Sequence, residues 1–349
     1  MKKFTLLFFV SCLAFNVKAQ TTTATPFLLI PADARAGGMG DIGVATSSDA
    51  FSLFHNPSKI AFNENQLSIG ANYVPWLRNL TDDIFVGNIS VVNRFSENQA
   101  WGVDLKYFSL GEINLTTNDG LPNGFKKPSE LAISGYYSLK LSEGFSMGVG
   151  LKYINSNYDI DDDFEAINTF AVDISGYYRS TEENYGTFNG RYRLGFNIAN
   201  IGPKVAYTPG DENFIPTNLK LGGGFDFIFD DYNTLGLNLE FTKLLVPEDS
   251  NSDKGWFEGM FSSFENPTPT WALGAEYMYN NAFALRAGYF NESEENGNRQ
   301  FFTLGAGFEA RAFTVDLSYL INASDINNPL ENTLRFSLAF DFGEIYDDY

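Results

Sequence analysis

The feature of this sequence that most restricts its fold is an alternation of apolar with small or polar residues, which returns in segment after segment beyond Gln66. In residues 219–229, for example, the odd positions hold Leu, Leu, Gly, Phe, Phe and Phe, whereas the even positions hold Lys, Gly, Gly, Asp and Ile. A period of two residues predicts β-strands with one apolar face and one polar face. Because the polar faces carry charges of both signs, we expect strands that face lipid on one side and an ion-paired interior on the other.

Fourteen such segments can be counted, and the connections between them alternate in length. The predicted spans are 66–73, 84–95, 99–110, 130–141, 145–158, 166–180, 191–201, 218–229, 233–245, 270–279, 283–290, 300–310, 313–321 and 332–342. Short links at 96–98, 142–144, 230–232, 280–282 and 311 alternate with long ones at 74–83, 111–129, 202–217, 246–269 and 322–331. The link 181–190 is longer than its side of the pattern predicts.

An even number of strands, with short turns at one end and long loops at the other, is typical of outer-membrane barrels. Closing the sheet pairs every backbone group in lipid and leaves no edge. We therefore predict an all-β fold, a transmembrane antiparallel β-barrel of about 14 strands over residues 66–349, located in the outer membrane and surrounded by its lipid. The even count predicts that both termini are periplasmic.

The first residues predict export. Two lysines precede an apolar run, and Val17 and Ala19 place small residues at the −3 and −1 positions of a signal-peptidase site, so residues 1–19 are predicted to be a signal peptide. Cys12 can be interpreted as a lipoprotein acylation site or, as we favour, as an ordinary residue of the apolar run. No later segment approaches the ~20 apolar residues that a membrane-spanning helix needs.

Residues 20–65 differ in kind from the barrel, since they are rich in Gly and Ala and lack sustained alternation. We predict that they form a plug, in which glycines permit close packing and in which Asp33 and Arg35 pair with charges of the lumen. Residues 38–43 formally match the dinucleotide fingerprint G-x-G-x-x-G, but no clear strand leads in and no βαβ unit follows, so close packing is favoured. The predicted plug motif comprises Asp33, Arg35, Gly37, Gly38, Met39, Gly40, Asn56 and Pro57.

Two sets of motifs carry a family resemblance. Asn56 and Pro57, just ahead of the first strand, resemble the N-terminal hatch of FadL-type channels for hydrophobic compounds, in which the pattern is Asn-Pro-Ala and where this chain has Ser58. The stretches LIPADARAGGMGDIGVATSSDA, FHNPSKIAF and VPWLRNLTDDI resemble the PorV family, the FadL-like barrels of the type IX secretion system in Bacteroidota.

The PorV resemblance implies a noncatalytic outer-membrane component of protein secretion. Such a protein accepts secreted proteins that carry a C-terminal sorting domain from the translocon and delivers them to a surface attachment complex. The resemblance therefore implies, as partners, the translocon and attachment-complex proteins and the secreted proteins themselves. The alternative is a FadL-type channel for uptake of hydrophobic small molecules.

Composition disfavours enzymes, metal sites and nucleic-acid binding. With Cys12 and His55 as the only cysteine and histidine, zinc, iron–sulfur and Cys–His sites lack ligands, and the net charge of −20 would repel nucleic acid. The acidic run 159–165 opens like a calcium loop, but Phe164 stands where glycine is required, so a solvated surface loop is favoured. We predict no catalytic, metal or cofactor site.

Two further groups of titratable residues have plainer structural interpretations. His55 lies in the predicted plug with no nucleophile nearby, so a structural histidine is favoured over a general base. Asp173 and Glu240 lie on lumen faces, where ion pairing with basic wall residues is favoured over acid–base chemistry. The basic residues considered as partners are Arg193, Lys220 and Arg286.

One long connection carries an unusual aromatic pattern. Within 246–269, large apolar residues follow one another at spacings of one, three, one and three, which is one face of a helix. These residues are Trp256, Phe257, Met260, Phe261 and Phe264. The face would either fold over the barrel mouth as a lid or contact a partner protein, and both interpretations stay open. Trp76, Leu77 and Leu80, in the first long connection, are weaker candidates for partner contact.

Overall fold

The computed structural model describes residues 23–77, 81–117, 119–158, 165–247, 253–265, 269–293, 297–324, 331 and 333–346. The predicted signal peptide, Leu80 and residues 159–164 of the acidic run lie outside these ranges. Fourteen antiparallel strands form a closed barrel, in which each strand pairs with its neighbours in the chain and the last pairs with the first. The strands are β1 (Asn65–Pro75), β2 (Ile84–Arg94), β3 (Gln99–Leu110), β4 (Ser129–Lys140), β5 (Phe145–Asn157), β6 (Ile167–Arg179), β7 (Asn189–Ile201), β8 (Asn218–Ile228), β9 (Asn233–Leu244), β10 (Thr270–Tyr279), β11 (Phe283–Asn291), β12 (Gln300–Ala310), β13 (Phe313–Asn322) and β14 (Leu334–Ile345).

The predicted 14-stranded all-β barrel is confirmed, and each predicted segment corresponds to one strand. The link 181–190 proved longer than its neighbours for a simple reason. Glu183 and Asn184 pair with Gly190 and Asn189, so the β6–β7 hairpin continues past the other turns as an additional piece of ladder. The extra residues are therefore strand rather than loop.

The two faces of the strands divide as the alternation predicts. On β3, Trp101 and Leu105 point outward and are exposed, whereas Asp104 and Lys106 point into the lumen and are buried. Aromatic rings gather on the outer wall near the strand ends, where Phe188 lies 5.2 Å from Phe227 between ring centroids. In the described part of the chain, no helix is long and apolar enough to cross a membrane.

Seven connections lie at one end of the barrel, which we call the long-connection end. Six lie at the other end, which we call the short-turn end because all of them except the β6–β7 hairpin are short. The long connections contain two small hairpins and a helix. The hairpins pair Ile113–Thr116 with Pro122–Lys126 and Val205–Ala206 with Glu212–Asn213. Three short helices are described: α1 (Ala34–Gly37), α2 (Ser52–His55) and α3 (Trp256–Ser262). Short 3₁₀ turns cover Pro26–Leu29, Pro57–Phe62 and Ser263–Glu265.

Residues 23–64 occupy the lumen and run along it from one end to the other. The Ala24 N–H donates to Phe214 O at 2.9 Å, in the long connection after β7, whereas Asn63 O accepts from Arg94 at the short-turn end. Strand β14 also ends there, where Ile345 pairs with Asn65. The two ends of the described chain therefore lie at opposite ends of the barrel, although the strand count predicts that they share a side. The reason is that the count locates only the start of β1, and the segment before it runs back through the lumen.

Candidate functional site

The lumen wall carries glycines where the plug backbone comes closest. A Cβ added to Gly38 would lie 3.0 Å from the Cα of Gly305 on β12. A Cβ on Gly288 of β11 would overlap the backbone of Met39 and Gly40, and Gly40 itself has a φ of 74°. Other glycines of the wall that meet the plug are Gly148, Gly195, Gly222 and Gly274. The plug is therefore seated by direct contact between its backbone and the wall, which side chains at these positions would prevent.

The amide groups of the glycine-rich motif are occupied by the wall. The N–H groups of Gly43 and Val44 both donate to one carboxylate oxygen of Glu240 on β9, at 2.8 and 2.9 Å. The Gly40 N–H donates to Thr303 Oγ1 on β12 at 2.8 Å. The stretch that matches a dinucleotide fingerprint thus uses these amides to hold the plug, which agrees with the packing interpretation.

Arg35 joins the plug to the barrel through a chain of alternating charges. Its guanidinium donates to Glu276 on β10 at 2.8 and 3.0 Å and to Asp49 of the plug at 2.8 Å. Glu276 in turn accepts from Arg286 at 2.6 Å, and Arg286 donates to Asp316 at 2.5 Å. Burial alone would lower the pKa of Arg35, but the two carboxylates raise it well above its ordinary value. Because these charges lie in the interior, removing the carboxylate that two arginines share, or an arginine that lies between two carboxylates, would break two ion pairs at once.

Asp33 pairs within the plug rather than with the barrel. It caps α1 by accepting from the Ala36 N–H at 2.7 Å, and its other oxygen lies 2.6 Å from His55 Nε2. Both side chains are buried. Burial alone would raise the pKa of Asp33, yet the attraction of His55 and the hydrogen bonds from His55 and Ala36 lower it to about 2. His55 therefore ties α2 to α1, as expected of a structural histidine.

Asn56, Pro57 and Ser58 form a compact junction against β4–β6. The Asn56 amide donates to Val44 O at 2.8 Å and to Gly176 O at 3.1 Å, while its oxygen accepts from the Ser58 hydroxyl at 2.5 Å. Pro57 begins the 3₁₀ turn that follows. The serine that stands where the channel pattern has alanine therefore supplies a bond that alanine could not make.

Lys59 follows this junction and is also buried. Its Nζ donates to Gly43 O at 2.8 Å and to Thr46 Oγ1 at 2.9 Å. Burial, partly offset by Asp49, lowers the pKa of Lys59 to about 8. The lysine thereby pins the glycine-rich stretch to the second half of the plug.

At the long-connection end the plug is held differently. Phe27 and Leu28 of the first 3₁₀ turn, together with Ala32, enter an apolar cluster inside the barrel. The cluster members outside the plug are Val74, Val86, Phe108, Ala132, Ile154, Ala171, Ile215, Phe301 and Leu320. Trp76 packs against the same cluster, with its ring 5.7 Å from that of Phe108. Trp76 is thus partly buried, as is Leu77.

The predicted aromatic helix is present as α3, and its rings face solvent. Trp256, Phe257, Phe261 and Phe264 are 40, 60, 62 and 50% exposed, and Met260 is half-buried. The helix rests on the connection after β7 through Gly259, where an added Cβ would lie 2.6 Å from the Phe214 ring. A lid would bury these rings against the barrel mouth, whereas four of the five side chains are exposed.

Several functional side chains were missed by the sequence reasoning. Glu240 lies 3.5 Å from Lys220, one of its expected partners, but its bonds to the plug amides were not foreseen. Asp173 pairs with Lys152 at 3.2 Å, a residue that was not among its expected partners. Wall hydroxyls also bind the plug backbone: Ser138, Ser146, Ser175, Thr303 and Ser337. The sequence signal that could have located the contact between plug and wall was the set of glycines at inward positions of β8, β10, β11 and β12. Among the described residues, no group of three or more His, Cys, Asp or Glu is placed to hold a metal ion.

Comparison with known proteins gives a family and a fold. The family model described as "Type IX secretion system protein PorV" matches residues 14–251. The solved structure of the Ralstonia pickettii toluene transporter TbuX is similar at 12% identity and a TM-score of 0.50, with 93% of this chain and 97% of that chain covered. For the Pseudomonas putida toluene transporter TodX the identity is 10%, the TM-score 0.50, and the coverage 87% and 95%. A search of curated proteins found no match. At these identities the two transporters indicate a shared fold only.

Proposed function

Since the chain belongs to the PorV family of type IX secretion system proteins, we propose that it accepts secreted proteins with a C-terminal sorting domain from the translocon and delivers them to the surface attachment complex. The role is noncatalytic. It is exercised in the outer membrane, where the family and the closed barrel place the chain. The long-connection end faces the cell surface in this proposal, and the C-terminus faces the periplasm.

The observation that carries the proposal is the exposed aromatic face of α3. Its rings form one patch, since Phe257 lies 5.6 Å from Trp256 and 5.1 Å from Phe261 between centroids. Large aromatic residues often dominate the binding energy of protein interfaces. Exposed in water the patch is unfavourable, so a protein partner that covers it would stabilise it.

The occupied lumen supports the same role. The plug runs through the barrel from Phe27 at one end to Asn63 at the other, and many of its polar groups are bonded to the wall. Uptake through the lumen would require these bonds to break. Transfer of a partner along the outer surface of the long-connection end requires no such change, which favours the secretion role over the channel.

The test removes two anchors, with Trp256→Ser and Phe261→Ser combined. We expect copurification of type IX components from detergent-solubilised membranes, and the arrival of secreted substrates at the cell surface, to fall about tenfold or more, as for the loss of two interface anchors. The matched control is Phe95→Ser with Tyr232→Ser, which removes two exposed aromatic residues at the short-turn end. Its complexes should be unchanged.

Uptake of a hydrophobic ligand is measured in the same strains. An intact complex with altered uptake in the α3 variant would contradict the secretion role and support the channel. Equal losses in the α3 variant and the control would also contradict the proposal, because the effect would then not belong to α3.

A further inference from the structure

A groove of about 490 Å³ interrupts the outer wall of the barrel where β7, β8, β9 and β10 run side by side. Its floor is the backbone of residues 222–224, which are three consecutive glycines. Large apolar side chains surround it: Leu194, Leu221, Phe225, Leu239, Phe241 and Leu273. Asn238 is the one polar residue of the lining, and its side chain points inward, where it accepts a hydrogen bond from Arg193.

The groove exists because one side chain is missing from a row. Across four neighbouring strands, Leu194 pairs with Gly223, Gly223 with Leu239, and Leu239 with Leu273. All four positions point outward, so Gly223 leaves a gap between leucines. Glycine in the interior of a strand often marks a place where a ligand approaches the backbone closely.

The groove lies at mid-height on the lipid-facing wall. Toward the short-turn end, Phe225, Phe227 and Phe229 pack with Tyr185 and Phe188 in a continuous aromatic cluster. Toward the long-connection end, Phe241 is paired with Trp271. Aromatic residues at both ends of the strands mark the two interfaces of a membrane, so the groove opens into the hydrocarbon between them.

The same wall segment carries no side chain on its inner face either. A Cβ on Gly222 would overlap Val44 of the plug, and one on Gly224 would overlap Asn238. At this point only one layer of backbone separates the plug from the membrane. Around Gly223, β8 therefore depends on what packs against it from outside more than a stretch of strand with large outward side chains does.

We propose that this groove is a binding site for one acyl chain of a bilayer lipid. The groove is continuous with the surface that faces lipid, its rim is apolar, and its volume lies in the range of small-molecule sites. The gap between leucines suits an unbranched hydrocarbon chain that lies over Gly223. The site goes beyond the proposed secretion role and stands independently of it.

The test reconstitutes the full mature chain in dioleoylphosphatidylcholine vesicles that contain a phosphatidylcholine with a diazirine midway along one acyl chain. Photolysis should label peptides with Leu194 and Leu239 in preference to other lipid-facing peptides. Gly223→Leu fills the gap and should reduce this labelling about fourfold, the change expected when roughly one methylene group loses its contacts. Gly135→Leu is the matched control, because Gly135 is an exposed, outward-facing residue of β4 with no atom within 4 Å of an added Cβ.

A second variant keeps the test decisive if Gly223→Leu does not assemble. Leu239→Trp covers the groove from its rim, leaves β8 unchanged, and should lower the labelling in the same way. Uniform labelling around the barrel, or equal labelling in wild type and both filled variants, would overturn the proposal. So would photolysis in native outer membranes that attaches a protein at these peptides where the lipid is expected.

Discussion

The two parts of the plug are held by different forces, although they follow one another in the chain. Residues 24–32, the apolar anchor, are held mainly by burial of Phe27 and Leu28 among side chains of the long-connection end. Residues 33–63, the polar body, also place Leu53 and Ile60 in an apolar cluster, but they differ from the apolar anchor in making many hydrogen bonds and ion pairs to the wall, such as Arg35 to Glu276 and Gly43 to Glu240. Burial is non-directional, whereas each polar contact demands one geometry.

This difference indicates which part of the plug determines its position in the lumen. An apolar anchor tolerates a residue of similar size because its stabilisation follows the area buried. A polar body does not, because any unmatched donor or charge is left without compensation in a dry environment. We therefore expect the polar body to determine where the plug sits and the apolar anchor to determine how firmly its first residues are held.

The largest effect is expected where the polar body touches the wall with no side chain between them. Gly288→Val places a side chain in the space of Met39 and Gly40, so the plug cannot seat. The mature chain is predicted to lack cysteine, so Ala50→Cys, which is buried in the plug, reports the change through maleimide labelling in vesicles. Labelling should pass from absent to nearly complete. Gly135→Val, on the outer face, should stay unlabelled; protection of the cysteine in Gly288→Val would contradict a seat made by close backbone approach.

A smaller loss is expected when one charge of the polar body is removed. Glu276→Ala leaves Arg35 and Arg286 without a shared carboxylate and should lower the free energy of unfolding by about 4 kcal/mol. Urea titration in phosphatidylcholine vesicles measures it. Glu112→Ala breaks the exposed pair with Lys127, whose atoms are 3.2 Å apart, and should cost less than about 1 kcal/mol. Similar losses in the two variants would show that burial adds nothing to the pair.

The smallest effect is expected at the apolar anchor. Phe27→Ala should lower the free energy of unfolding by about 3 kcal/mol, since it empties a buried site, whereas Phe27→Leu should recover most of that loss. Glu276→Gln, in contrast, should recover little, because a neutral amide cannot replace the carboxylate that Arg35 and Arg286 share. The four variants are compared by the same urea titration. If Glu276→Gln regained as large a share of the lost free energy of unfolding as Phe27→Leu does, the proposed difference between the two parts of the plug would be wrong.

The barrel could be predicted from the sequence because the two-residue alternation recurs in every strand. A strand such as β3 has lipid on one face and a polar lumen on the other, so every second residue reports its side. The outlying link before β7 was recognised but not explained, because Glu183 and Asn184 are too short a strand to show a period. The position of the first residues was not predictable from strand parity, because parity says nothing of a segment that enters the lumen.

Composition predicted a plug, but it did not predict which wall residues the plug contacts. Arg35 was expected to pair with a charged residue of the lumen wall. The sequence does not show which acidic residue that is, because Arg35 and Glu276 are 241 residues apart in the chain. Asp33 was expected to behave in the same way and instead met His55 within the plug. The helical face of α3 was accessible from local spacing, whereas its orientation depended on the contact between Gly259 and Phe214, which only the folded chain brings together.

The path of the plug also constrains the order in which this protein matures. Ala34 donates its N–H to Ser337, and Asp41 pairs with Arg335, so the first folded segment has partners on the last strand. These contacts join residues about 300 positions apart, and closing so long a loop is entropically slow. During export the plug emerges first, but its set of binding partners is incomplete until β14 arrives. Pairing of β14 with β1 therefore closes the barrel and, in the same step, completes the binding site for the N-terminal segment of the chain.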